Sequence, residues 1–253
     1  MHKAAAGSIR IHLRQIESGN YAGDRCHVPT IEEVLSGRAD YSTFLVHLTR
    51  AQGLKPAREV LHEILEQRCL AAIRPHCLFG PILNNFDDDD RKHFNVACFT
   101  EAPLHQIGLF IGPIEGRGVE LEPYGLVFTK EFIGTKGGNP ALYINTYHQD
   151  ELKNAALDLF GKAHEDGFED SSITRLLPFV NIFGKTATGG TYDFHWEREW
   201  RVVGDVEFTW SDVVVGLCPE GEIEEFADEF PAVPFICPFW GLDRIITHLR
   251  ESA

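Results

Sequence analysis

The amino-acid sequence predicts an α+β fold: a single domain over residues 1–253 with a mixed or antiparallel central sheet flanked by helices, its motif-bearing core at about 41–217. Three observations carry this expectation. Runs rich in β-branched and aromatic residues, among them Tyr41–Arg50, Tyr124–Thr129 and Val213–Leu217, have strand character. Leu54, Ala57, Val60, Leu61, Ile64 and Leu65 instead recur at helical spacing, so strand and helix alternate along the chain. No repeat or linker interrupts the sequence, and a 253-residue chain that is 43% hydrophobic is large enough to bury one substantial core.

Each element follows from local residue chemistry. Ile9, Ile11, Leu13 and Ile16 lie among charges and fit either an edge strand or an amphipathic arm, and Thr30 with Glu33 has the capping-box spacing of a short helix ending near Gly37. The strand at Tyr41–Arg50 leads into a helix of about four turns through Leu54 and Leu65. Residues 90–104 read as a charged loop, a short apolar strand and a turn, after which Pro103 suits the first turn of a helix through Leu104, Ile107 and Leu109. Further strands are expected at Tyr124–Thr129 and Pro140–Ile144, then a helix from about Gln149 to Leu159 stopped by Gly161, and a polar loop at His164–Asp170. The Gly189–Gly190 turn opens a strand over Tyr192–Val203. A buried strand at Val213–Leu217, an acidic helix at Ile223–Phe230 and a closing helix at Leu242–Leu249 complete the chain.

Charge and cysteine usage narrow the function classes. The net charge of −15 disfavours unspecific binding to nucleic acid or an anionic membrane. Six scattered cysteines, with no apolar signal segment and no membrane-length run, point to a cytoplasmic protein with free thiols. No CxxC pair occurs and His76–Cys77 has no matching pair nearby, so no metal site is expected from spacing. The acidic runs Asp87–Asp90 and Glu220–Glu225 read as solvated faces, since the calcium-loop spacing is missing.

The densest chemistry sits in Tyr192–Val203. Ionisable and aromatic residues alternate there, and on a strand Glu197, Glu199 and Arg201 would share one face about 7 Å apart, opposite Trp196, Arg198, Trp200 and Val202. Such a row is either a site or an ion-pair ladder.

Three motifs in order resemble the AbiGi-type abortive phage resistance family: Cys98-Phe99-Thr100-Glu101-Ala102-Pro103-Leu104, then Tyr124–Phe128 with Lys130-Glu131 and Gly-Asn-Pro-x-x-Tyr, then Phe194–Val202. The resemblance spans about Phe44 to Asp205. It implies a role in bacterial defence against phage, either as an active component or as the antitoxin of a toxin–antitoxin pair, with a toxin or a phage component as protein partner. A more distant similarity is to DarT-like ADP-ribosyltransferases, which modify nucleic acid using NAD. Their early His-x-Thr strand is similar to His47-Leu48-Thr49, their second motif to His93–Phe99, and their catalytic Glu with its aromatic and aliphatic followers to Glu199-Trp200-Arg201-Val202. The pattern departs at Glu101, where those enzymes carry Arg.

This resemblance implies an ADP-ribosyltransferase-like fold with NAD as substrate. Glu199, Glu197 and Glu101 are then the catalytic candidates, because a fixed carboxylate stabilises the oxocarbenium-like centre left by glycosidic cleavage. His47 and Thr49 offer hydrogen bonds to a ribose, Phe99 or Tyr124 a stacking surface, and Arg50 or Arg201 a forked pyrophosphate contact. A nuclease holding Mg²⁺ on Glu101, Glu197 and Glu199 is the competing enzyme reading.

Overall fold

The computed structural model describes residues 41–148, 150–185 and 190–251, and these belong to one compact unit. The expected arm at Ile9–Ile16 and the capping box at Thr30 lie outside the described residues. The fold is mixed α/β, with one large mixed sheet and helices. Its seven strands are ordered β12-β11-β4-β1-β3-β9-β5, where β1 is Phe44–Leu48, β3 Val96–Thr100, β4 Gly125–Thr129, β5 Asn139–Pro140, β9 Glu199–Val203, β11 Val213–Leu217 and β12 Phe235–Ile236. Only β11 and β12 run parallel; the other neighbours are antiparallel. A second sheet joins β6 (Leu142–Asn145), β7 (Val180–Lys185) and β8 (Thr191–Tyr192), and β2 (Cys69–Leu70) pairs with β10 (Val206–Glu207).

Apolar pattern explains the main layers. Helix α1, Ala57–Gln67, buries Ala57, Val60, Leu61 and Leu65, and its inner face joins a core that includes Leu45, Ala97, Leu126, Phe128, Val202 and Val215. Gly125 is fixed by close approach, since a Cβ there would stand 2.3 Å from the carbonyl oxygen of His47. That contact sets β4 tightly against the end of β1. Helices α2 (Lys130–Thr135), α4 (Ile223–Glu229) and α5 (Leu242–Glu251) follow. No helix among the described residues is long and apolar enough to cross a membrane.

A second core forms under α3, Glu151–Asp166, where Phe79, Phe94, Phe160 and Phe168 pack with Leu83 and Leu177. This core explains one departure from the sequence pattern. Gly161 does not end the helix, because Phe160 and Ala163 are both buried and their packing outweighs the modest cost of one glycine. The stop comes at Gly167, whose φ of +85° suits glycine, so the expected loop at His164–Asp170 begins as helix.

Three further expectations are corrected. Leu54 lies in a turn closed by Gln52 and Lys55, fully exposed; Pro56 delays the helix start to Ala57. The strand expected at Pro140–Ile144 is divided between two sheets, β5 and β6. Within Tyr192–Val203 only the ends are strand: His195–Glu197 is a 3₁₀ turn and Arg198 is left-handed with φ 49°. Asp193 causes the break by gathering the turn around itself, accepting from His195 Nδ1 at 2.5 Å, Tyr147 Oη at 3.0 Å and, through its carbonyl, Trp196 Nε1 at 3.0 Å.

Candidate functional site

The site begins with a split in the large sheet. Strand β1 pairs with β4 from Phe44 to Leu48, and β3 pairs with β9 from Val96 to Thr100, yet β1 and β3 share only the register pair Val46–Thr100. Past that pair the strands part. A cavity of about 620 Å³ is lined there by residues 46–50, at and just past the end of β1, and by residues 96–100 of β3, with Arg74, His76, Arg117, Tyr192, Glu197 and Glu199 around them. Its volume is ordinary for a small-molecule site. His47 bridges the gap, its Nδ1 lying 2.8 Å from the Cys98 carbonyl oxygen. A carbonyl only accepts, so Nδ1 carries the proton and Nε2 is left as an acceptor. Burial lowers the His47 pKa, the Cys98 carbonyl only partly offsetting it, which keeps the ring neutral.

Glu199 opens β9 and is buried, with Arg201 fully buried two residues on, so both share the strand face expected of them. The Arg201 guanidinium donates to Glu199 Oε2 at 2.6 Å and to the Pro178 carbonyl at 2.8 Å. Tyr143, from β6, donates to the same Oε2 at 3.2 Å, while His76 Nδ1 donates to Oε1 at 2.8 Å. Burial pushes the Glu199 carboxyl up, but the Arg201 charge and the His76 bond outweigh it and hold the group below the usual carboxylate range. Tyr143 shifts the opposite way: burial, then the Glu199 charge, raises its phenol well above the ordinary value, so it remains a donor.

Glu197 stands beside this carboxylate but one turn outside the strand, against the expected three-residue row. Its carbonyl accepts from Thr100 Oγ1 at 2.5 Å and its carboxylate faces Arg117 at 3.4 Å. Burial raises its pKa, and Arg117 offsets this only in part. Arg117 itself is held by the Phe110 and Gly112 carbonyls, each at 2.8 Å.

Of the residues singled out in the sequence, His47, Thr49, Arg50, Phe99, Glu197 and Glu199 line this one cavity, whereas Glu101, Tyr124 and Arg201 do not. Thr49 spends its hydroxyl on the Ala57 and Tyr124 carbonyls, 3.2 Å away in both cases. The Phe99 ring packs edge-on to His47 and Phe128 and so serves as wall rather than as a free stacking face. Glu101 follows Thr100 and turns to the other side of the sheet, where it pairs with Lys130 at 2.8 Å, with Arg198, and with Trp200 Nε1 at 3.1 Å. That is a structural ion-pair knot, and it keeps Glu101 from joining Glu197 and Glu199 around one ion. Tyr124 is engaged by Glu222 at 2.8 Å, and Arg201 supports the site from beneath.

His76, Cys98, Tyr143 and Arg117 are the additions that the fold makes. His76 has no partner nearby in sequence; Cys98 and Glu199 lie 22 and 123 residues away. Cys98 belongs to a motif noted in the sequence, but only the β3–β9 register, with Cys98 opposite Arg201 and Thr100 opposite Glu199, turns its thiol toward this face. Comparison with known proteins returns no match to any family model, curated protein or solved structure.

Proposed function

We propose that the chain binds NAD in the cavity between the His47 and Glu199 strands and acts in phage defence as an ADP-ribosyltransferase-like enzyme, transferring ADP-ribose to a macromolecule. The observation that carries this reading is that Glu199, held ionised, and the neutral His47 face one cavity at the split of the sheet. Breaking the bond between ribose and nicotinamide sends the electron pair to nicotinamide and leaves positive charge on the ribose. A carboxylate fixed at Oε2 by Arg201 and Tyr143 and at Oε1 by His76 is already oriented to meet that charge. Arg50, at the cavity edge, takes the pyrophosphate contact that the buried Arg201 cannot reach.

Calorimetric titration of NAD into the folded protein tests the proposal. Saturable binding is expected, weakened about tenfold or more in Arg50→Ala, as one charge-assisted contact of about 1.5–3 kcal/mol implies; no binding at millimolar NAD overturns it. A second reading, a non-catalytic antitoxin that binds a protein partner, is favoured by the exposed apolar residues Phe239, Leu242 and Ile246 at the last helix and by the structural use of Glu101. Stable co-purification with a toxin, together with silence toward NAD, is the result that favours it.

A further inference from the structure

A point beside Glu199 joins one carboxylate that the NAD reading uses to two donor atoms that it does not. A ring nitrogen of His76, Sγ of Cys98 and a carboxylate oxygen of Glu199 all lie within 4.8 Å of one another. They come from the loop after β2, from β3 and from the start of β9. In a proton relay an imidazole meets its two partners through opposite nitrogens. Here Oε1 at 2.8 Å and Sγ at 3.6 Å both face Nδ1, whose single proton serves only one of them. Three donors converging on one point describe a coordination site rather than a relay.

We propose that His76, Cys98 and Glu199 bind a zinc-class divalent ion, with a fourth position open to the cavity. The mixed imidazole, thiolate and carboxylate set suits a borderline-soft ion and is wrong for Mg²⁺ or Ca²⁺, which take oxygen ligands. Tetrahedral bonds of about 2.0 Å to nitrogen and about 2.3 Å to sulfur place those two atoms about 3.5 Å apart, close to the observed separation of 3.6 Å. The nitrogen–oxygen edge opens by about half an ångström from its hydrogen-bonded length, a movement that the exposed His76 ring can make. Arg201 and Tyr143 hold Oε2 and leave Oε1 for the ion, the supporting shell that metal carboxylates need. All three ligands line the cavity, so a bound ion keeps the open position typical of catalytic zinc. On coordination the thiol proton passes to solvent, and the His76 proton leaves Nδ1 for the exposed Nε2, so that Nδ1 can bind the ion.

Titration of the chelator-stripped full chain with Co²⁺, with no NAD present, tests this independently of the proposed activity. One equivalent is expected to bind and to produce the sulfur-to-cobalt charge-transfer absorption of a thiolate site, which Zn²⁺ then displaces. Cys98→Ser is expected to abolish the charge-transfer band, and His76→Ala to weaken binding at least about tenfold. Cys237→Ser, at a buried thiol outside the cavity, is expected to leave both unchanged. His76 is exposed, so its variant carries the test should Cys98→Ser fold poorly. Less than a tenth of an equivalent bound, or a His76→Ala titration that matches the unaltered chain, overturns the assignment.

Discussion

Glu199 and Glu197 sit two residues apart in opposite electrostatic circumstances, and the difference has measurable consequences. Glu199 completes a buried pair, so Glu199→Gln keeps the hydrogen-bonding shape but leaves the fully buried Arg201 charge without its counter-ion. Breaking such a pair costs about 3 kcal/mol or more, and a clear fall in melting temperature is expected. Glu197 instead carries a charge that burial disfavours more than Arg117 restores. Glu197→Gln is therefore expected to melt no lower than the unaltered protein at neutral pH, which thermal denaturation of the two variants checks directly. If NAD is turned over, Glu199→Gln is also expected to lose about 10²–10³-fold in rate, the worth of one preorganised electrostatic group, and Glu197→Gln less. A Glu199→Gln protein with a lower melting temperature and full activity assigns the pair to structure alone. The types of these residues were legible from the sequence, and so was the shared face of Glu199 and Arg201. What each touches was not, because Tyr143, His76 and Pro178 reach them from segments far away along the chain.

Among the elements, β1 and β11 were readable as short runs of β-branched and apolar residues buried on both faces, and α1 because burial of one face imposes a helical period on the sequence. Legibility failed where tertiary contacts overrode local preference. The aromatic alternation of Tyr192–Val203 imitates a strand, yet Phe194 packs with Tyr192 and Trp196 within a turn that Asp193 gathers. Helix α3 runs through Gly161 for a similar reason, and it supplies a direct check. A Cβ at Gly161 meets no atom within 4 Å, and the position is interior helix. Gly161→Ala is thus expected to stabilise the protein by about 0.5–1 kcal/mol, from lower unfolded-state entropy and higher helix propensity, seen as a higher denaturant midpoint with an unchanged slope. No gain in midpoint would show that the last turns of α3 are not part of the cooperative unit that melts. The split between β1 and β3 was the least readable element of all, since both strands look continuous and only their register reveals that pairing ends after Val46 and Thr100.

For the molecule as a whole, the acidic balance sets the response to pH. A net charge of −15 at neutrality opposes the compact state by self-repulsion, and acidification relieves it as the chain takes up protons. Opposing this are carboxylates held down in the folded state. Glu199 is the buried one; Glu63, Asp193, Asp212 and Glu220 lie nearer the surface and are held down first by hydrogen bonds from Lys55, His195, Thr209 and Trp240. For a group whose folded pKa lies below its unfolded one, the stabilisation is fully present above the unfolded value, about 4.5 for glutamate, and is lost as pH falls toward the folded value. Glu197, shifted upward, works the other way: its contribution is present at low pH and disappears as pH rises through its folded pKa. Relief of repulsion just below neutrality is opposed by His47, whose lowered pKa makes stability fall as pH drops below its unfolded value of 6.5, and loss of the Glu199 pair adds to this below pH 4.5. The melting temperature is expected to hold from pH 8 to about 6.5, decline as pH falls below the unfolded value of His47, and fall steeply below pH 4.5. Glu199→Gln, which has no proton to take up at this site, is expected to begin lower and to lose stability with a shallower acid limb. Melting curves of both proteins across this range check the assignment, and parallel acid limbs would mean that the pair of Glu199 and Arg201 is not what acid destroys.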